Sequence, residues 1–313
     1  MKTLSAIIRR DITLFFKDKG LLFTSLITPL ILLVLYVSFL GNVYRDSFAI
    51  GFEGTVALSD EISRVIDGCV GGQLVSSLLA VSCITVAFCS NMLMVQDKVS
   101  GARTDLTISP VRPSLLALGY YIATAVATWL ICIFALAAGL GYIAIIGWYL
   151  SVTDVLCLVG DVTLLVLFGT ALSSIVSYFL SSQGQISAIG SIISSCYGFL
   201  CGAYMPISSF AEGLRTVLSY LPFTYATSLL RNHTMRGAFA ELEAQFEGLG
   251  LPDAQTESLL DGVNILRETV DATVYFHGKV VPVGAMAALL GGVTALLMLV
   301  YLMMNLRNKK RVR

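Results

Sequence analysis

The side chains able to do covalent or metal chemistry are few and poorly spaced for it. The 313 residues include two histidines, His233 and His277, and seven cysteines at positions 69, 83, 89, 132, 157, 196 and 201. Neither histidine lies in a recognisable nucleophile motif, and the cysteines form no CxxC and have no histidine beside them. Hydrolytic and zinc sites are therefore not indicated, and the cysteines are expected to pack as small residues. No GxxxxGK[ST] loop is present: Gly278-Lys279 is followed by Val280, so the chain has no such cradle for nucleotide phosphates. Two charged features remain. Asp161, preceded by Gly160, falls a turn or two inside an apolar stretch that begins near Asp154. There it either reaches the membrane interface or lines a pathway. Segment 96–113 carries Asp97, Lys98, Gly101, Arg103, Asp105, Pro110, Arg112 and Pro113. It reads as a short charged helix ended by Pro110 and followed by an X-Pro elbow.

These groups have to be positioned by membrane helices. The chain is 56% apolar and 13% charged, with a mean hydropathy of +0.83, against about 25% charged in an ordinary soluble domain. Its net charge of zero removes any argument for a nucleic-acid binder. Stretches without Asp, Glu, Lys or Arg cover residues 21–44, 68–96, 113–153, 162–211 and 280–306. A span takes about 20 residues, so the first, second and last stretches hold one each. Residues 162–211 hold two, separated by the polar turn 181–185. Residues 113–153 are read as one long helix over 115–146, with Trp148 and Tyr149 at the outer interface. Both termini are rich in Lys and Arg, which places both in the cytoplasm and requires an even number of spans. The fold class is therefore an all-α integral membrane protein with six transmembrane helices.

On this topology thirteen of the twenty Lys and Arg residues lie inside, with only Asp11, Asp18, Asp97 and Asp105 to offset them. The apolar run near the start is too long for a signal-peptide core, and no small-residue cleavage site follows it. Before it, Leu4, Ile7, Ile8, Ile12, Phe15 and Phe16 share one helical face, so residues 1–20 are expected to form an amphipathic helix lying in the headgroup plane. Residues 307–313 form a basic cytoplasmic tail.

Segment 96–113 resembles the coupling segment of type-2 ABC exporter permeases. The match rests on Asp97-Lys98, Gly101, Asp105-Leu106, Pro110-Val111 and Gly119. The family more often has Glu-Arg, Gly-Thr and Glu at these places, so this copy departs conservatively at Asp97, Lys98, Ala102 and Asp105. A second resemblance follows the fifth span, in Tyr204-Met205-Pro206-Ile207, Leu218-Ser219-Tyr220-Leu221-Pro222-Phe223-Thr224-Tyr225-Ala226 and Leu230-Arg231. In the family this region forms paired re-entrant helices, which implies two short amphipathic helices within 206–236, marked by Pro206, Pro222 and Tyr225. Ser209-x-x-Glu212 is expected to cap the first. Residues 237–279 depart from the family and read as a small acidic extracellular helical insertion. Leu259, Leu260, Val263, Leu266 and Val270 are at helical spacing there, behind Asp253 as a candidate N-cap.

The resemblance implies two six-span permeases, as a homodimer or a heterodimer with a paralogue, in the cell inner (plasma) membrane. A separate ABC ATPase subunit would hold ATP and Mg, leaving this chain without a cofactor or enzymatic activity of its own. Asp97, Lys98, Gly101, Arg103, Asp105 and Pro110 would then couple to that ATPase. The Gly198-x-x-x-Gly202 stripe with Ser191 and Ser195, together with Asp161, would line the permease interface or pathway. The substrate class expected is a drug, an antibiotic peptide or a lipid-like molecule. Two other readings stay open: an ion-coupled secondary transporter, and a membrane sensor or scaffold without transport.

Overall fold

The computed structural model describes residues 2–50, 59–108 and 111–308. Helix α1, Lys2–Lys17, is amphipathic as its pattern requires. Ile7, Asp11 and Phe15 are buried one turn apart, while Leu14 and Phe16 stay over a third exposed. Ile7 enters a groove that Gly119 leaves open: a Cβ at 119 would lie 2.6 Å from the Ile7 side chain.

Asp18 caps the next helix by accepting from the backbone N–H groups of Gly20 and Leu21. That helix, α2 (Lys19–Leu35), passes through a π-helical stretch, Tyr36–Leu40, into α3, Gly41–Ile50. Residues Lys19–Phe48 of this run are apolar and long enough to cross a bilayer. Four more segments qualify on the same grounds: Asp60–Val99, Pro113–Ile146, Val152–Phe179 and Val283–Leu306.

The second of these is the core of the molecule. Helix α4, Asp60–Ser90, is buried along nearly its whole length. Within the segment it forms with α5, 83% of the most apolar window is covered by protein, against 17% for the last helix. Around it pack α7 (Pro113–Ile146), α8 (Val152–Phe179) and α11 (Pro222–Gly248). Asn91 interrupts α4 and restarts it as α5, Met92–Val99. Its buried amide lies 3.3–3.4 Å from the hydroxyls of Ser173, Ser174 and Ser177, and Thr124 donates to its carbonyl oxygen. A short helix α6, Ala102–Ile108, completes the loop before α7.

Helix α9, Gln183–Leu200, has 18 residues, about 27 Å at 1.5 Å per residue. Its glycines, glutamines and serines keep it out of the set of strongly apolar helices. It nevertheless runs from the Lys98 end of the molecule to a turn at 201–204, where Arg231 meets it. A 3-10 turn at Ile207–Ser209 and helix α10, Glu212–Ser219, follow. Pro222 opens α11 at its first position, which needs no N–H donor. Helix α12, Asp253–Thr269, leads to a two-stranded hairpin, β1 Tyr275–Phe276 and β2 Lys279–Val280. His277 and Gly278 make its turn, both at positive φ as a type I′ turn requires. Helix α13, Val283–Asn308, ends the described chain.

Three local expectations need correction. The N-cap of α10 is Ala211, not Ser209, whose backbone is taken into the preceding 3-10 turn. Pro252 holds the N-cap position of α12, with Asp253 one residue inside. The boundary drawn at 236/237 falls inside α11, one continuous 27-residue helix. That helix carries Arg231, His233 and Arg236 without breaking because each finds an acid on another element: Asp271, Asp161 and Asp154.

Candidate functional site

The loop between α4 and α7 is built in two layers. Its inward layer is spent on anchoring. Asp97 is only 6% exposed and accepts from both Arg10 guanidinium nitrogens at 2.7 and 3.1 Å and from the Tyr120 hydroxyl at 2.5 Å. Arg10 also donates to Asp11 at 2.7 Å. Beside Asp97 the Arg10 guanidinium is held further above its ordinary range, mainly by that hydrogen bond. Burial pushes the Asp11 carboxyl up to about 6, although the Arg10 hydrogen bond acts in the opposite direction. Lys98 turns the other way and donates to the carbonyls of Ser177, Tyr178 and Leu180 at 2.7–3.2 Å. It thus places a cation at the C-terminus of α8, where the orphan carbonyls and the helix dipole favour one.

The outward layer is open. Gly101 sits at φ +83°, and a Cβ built there meets nothing within 4 Å. Asp105 is exposed and Arg103 half-buried. Val99 and Ile108 are 50% and 78% exposed on either side of the glycine. Sequence reasoning passed over these two apolar residues because they look like ordinary helix positions. Asp97 and Lys98, grouped in sequence with Gly101 and Asp105, instead belong to the anchoring layer. Pro110 lies outside the described residues.

Asp161, 8% exposed in α8, meets His233 of α11 with Oδ2 and Nδ1 2.5 Å apart. Asp154, two turns earlier, pairs with Arg236. His233 is thus part of an inter-helix pair rather than a solvated loop residue. Separation in sequence hid the pairing.

Gly198 and Gly202 are both used within the chain. A Cβ at Gly198 would lie 2.3 Å from the Tyr204 ring. Gly202 takes φ +73° to turn the chain after α9, and its carbonyl accepts from Arg231. The two glycines therefore do not offer a face to another chain. Ser191 and Ser195 remain exposed on α9, in line with Ser187, Ile192 and Phe199. Pro206 is buried at the start of the 3-10 turn, and Tyr225 is buried with its hydroxyl donating to the Ser219 carbonyl. Among the described residues no group of three or more His, Cys, Asp or Glu side chains could hold a metal ion.

A model of the ABC-2 type transporter family matches residues 2–234. The chain belongs to that family. No curated protein matches it. The match covers α1 to the middle of α11, including the whole two-layer loop, and stops before α12 and the hairpin. Membership makes the chain a multi-pass membrane component of an ABC transporter, and it implies association with an ABC ATPase.

Proposed function

We propose that this protein is the permease subunit of an ATP-driven exporter, with six spans and both termini in the cytoplasm. The α5–α6 loop is its contact with the ATPase. The observation that carries this reading is the division of that loop. Asp97 and Lys98 bind it rigidly to α1, α7 and α8, while Val99, Gly101, Asp105 and Ile108 stay open around a backbone with no side chain above it. A segment fixed on one face and bare on the other suits a rigid handle for another protein.

Under this reading α9 is the fifth of the six spans, and its exposed serines, ill suited to lipid, face a second permease or the path between two. ATP and Mg are held by the ATPase, and this chain hydrolyses nothing. Residues 206–221 dip into the outer leaflet of the inner (plasma) membrane, and α11 stands behind them. Drugs, antibiotic peptides and lipid-like molecules are the substrate classes.

The test is to co-purify the chain with its ATPase in lipid and to measure ATPase stimulation and efflux together. Gly101→Trp, by steric block, and Asp105→Lys, by charge reversal, should weaken association or uncouple hydrolysis while leaving membrane insertion intact. Wild-type coupling in both would remove the contact. A reporter after Arg313 should be cytoplasmic and a tag at Gly248 extracellular; labelling of the C-terminal tag in intact cells by an impermeant reagent would overturn the topology. The Asp161–His233 pair favours a second reading, proton-coupled transport, which requires transport to persist without any ATPase.

A further inference from the structure

A cavity of about 570 Å3 opens between α10, α12 and the hairpin. It lies at the end of α9 remote from Lys98 and the α5–α6 loop. One wall comes from within the family match, with Glu212, Arg215 and Tyr220. The other comes from the segment after it, with Glu268, Tyr275 and Phe276. Its volume is in the range that encloses a drug-sized molecule.

The floor is taken up by an ion pair, Arg231 with Asp271. The Asp271 carboxylate accepts from Arg231 and from the backbone N–H groups of Ile207 and Ser208. What the cavity offers a ligand is on its walls. Glu212 is exposed and has no ion partner among the described residues. Glu268 accepts from the Tyr275 hydroxyl with one oxygen, which leaves the other free for a ligand. Arg215, one turn along α10 from Glu212, is the only Lys or Arg in the lining and also has no ion partner among the described residues. Three aromatic rings complete the walls. Tyr220 and Phe276 stand edge to face at 5.2 Å, and the Tyr220 hydroxyl lies 3.0 Å from His277 Nε2, which fixes that ring before any ligand arrives. Ile265, 63% exposed, adds apolar surface at the rim.

The geometry points to a binding site for an organic ammonium ion that carries an apolar ring or chain. Two available carboxylates outnumber one guanidinium, and fixed aromatic rings attract a weakly hydrated cation while covering an apolar body. Arg215 disfavours molecules of high positive charge and selects a single ammonium group. The chain's segment after the family match thereby acquires a role: it closes a ligand site over α10.

The experiment uses the full chain in nanodiscs of zwitterionic lipid, without ATPase or transport, so that its outcome is independent of the permease reading. Benzyltrimethylammonium is titrated by calorimetry, with empty nanodiscs subtracted and its neutral isostere neopentylbenzene as the control. One saturable site per chain is expected for the cation and none for the isostere. Glu212→Gln and Glu268→Gln should each weaken binding about fivefold, Phe276→Leu by a similar factor, and Arg215→Gln should strengthen it. Unchanged melting of Glu212→Gln, an exposed and unpaired position, shows that any loss is not unfolding. Non-saturable uptake, equal binding of the isostere, preference for benzenesulfonate, or wild-type affinity in both carboxylate variants would overturn the assignment.

Discussion

Replacing Arg10 by Gln should release α1 from the rest of the molecule. The guanidinium makes three contacts of 2.7–3.1 Å to Asp97 and Asp11, whose side chains are 8% and 1% exposed. Its loss leaves two neighbouring buried carboxylates with no cation. Breaking a buried pair from one side typically costs about 3–5 kcal/mol. Arg10 itself is 31% exposed, so solvent already screens part of the interaction, and Tyr120 still donates to Asp97. An expected cost of about 2 kcal/mol follows, roughly a 30-fold rise in the undocked population. The asymmetry is the sharper expectation. Asp97→Asn leaves a guanidinium that can swing to water, so it should cost less than Arg10→Gln. The double variant should fall between them, with a coupling of about 1–2 kcal/mol. Hydrogen exchange of residues 2–17, read by mass spectrometry in lipid nanodiscs, measures all three. Exchange within twofold of wild type in Arg10→Gln, or a larger effect in Asp97→Asn, would refute the reasoning.

Asp11→Asn tests the same joint by pH. A carboxyl raised from 3.8 to about 6 by burial stabilises docking below pH 4 and loses that contribution as pH rises through 6. Acidification from pH 7 to 5 should therefore raise the protection of α1 in the wild type by about 1 kcal/mol once the intrinsic exchange rate at each pH is divided out, and should leave the protection of the Asn variant flat. Gly237→Ala should lower the melting temperature by the equivalent of at least about 2 kcal/mol, because its Cβ would sit on the Tyr149 carbonyl oxygen, while Gly141→Ala, in open space, should not.

Features that depend on neighbouring residues were legible in the sequence. The single long α7, the amphipathic α1, the start of α8 near Asp154 and the buried stripe Leu259, Val263, Leu266 of α12 all follow from charge-free length or a 3.6-residue period. Pairings across the fold were not. Arg10 and Asp97 are 87 residues apart and Asp161 and His233 72 apart, and nothing local distinguishes a charge that will be buried from one that will be solvated. The same blindness cut α11 at residue 237. Its charges look like a surface segment until Asp154, Asp161 and Asp271 are brought opposite them. The glycine stripe failed differently: Gly198 and Gly202 match an interface motif by spacing, but Tyr204 and the turn at 202 fill that space from within the chain.

The arrangement of anchors bears directly on how a load at the α5–α6 loop would travel. Hydrogen bonds to α1, α7 and α8 leave that loop no soft direction along its inner face. Asn91, at the junction of α4 and α5, is held by the hydroxyls of α8 and by Thr124 of α7, so a displacement of α5 passes into α4 and its two neighbours together. Near the middle of α4, Gly72 lies against the backbone of Thr234 in α11, with only about 2.8 Å left for a Cβ. Contacts that close transmit strain rather than absorb it. The Arg231–Asp271 pair then ties α11 to the turn after α9 and to the floor of the aromatic cavity. The chain therefore contains a continuous, tightly packed route from the open face of the loop, through α4, to the site between α10 and the hairpin. Two discrete arrangements of that route are what a coupled transporter would need. Gly72→Ala, whose Cβ would press on Met235 and the Thr234 carbonyl and touches neither end, should reduce any influence of the cation probe on ATPase coupling while leaving probe affinity unchanged.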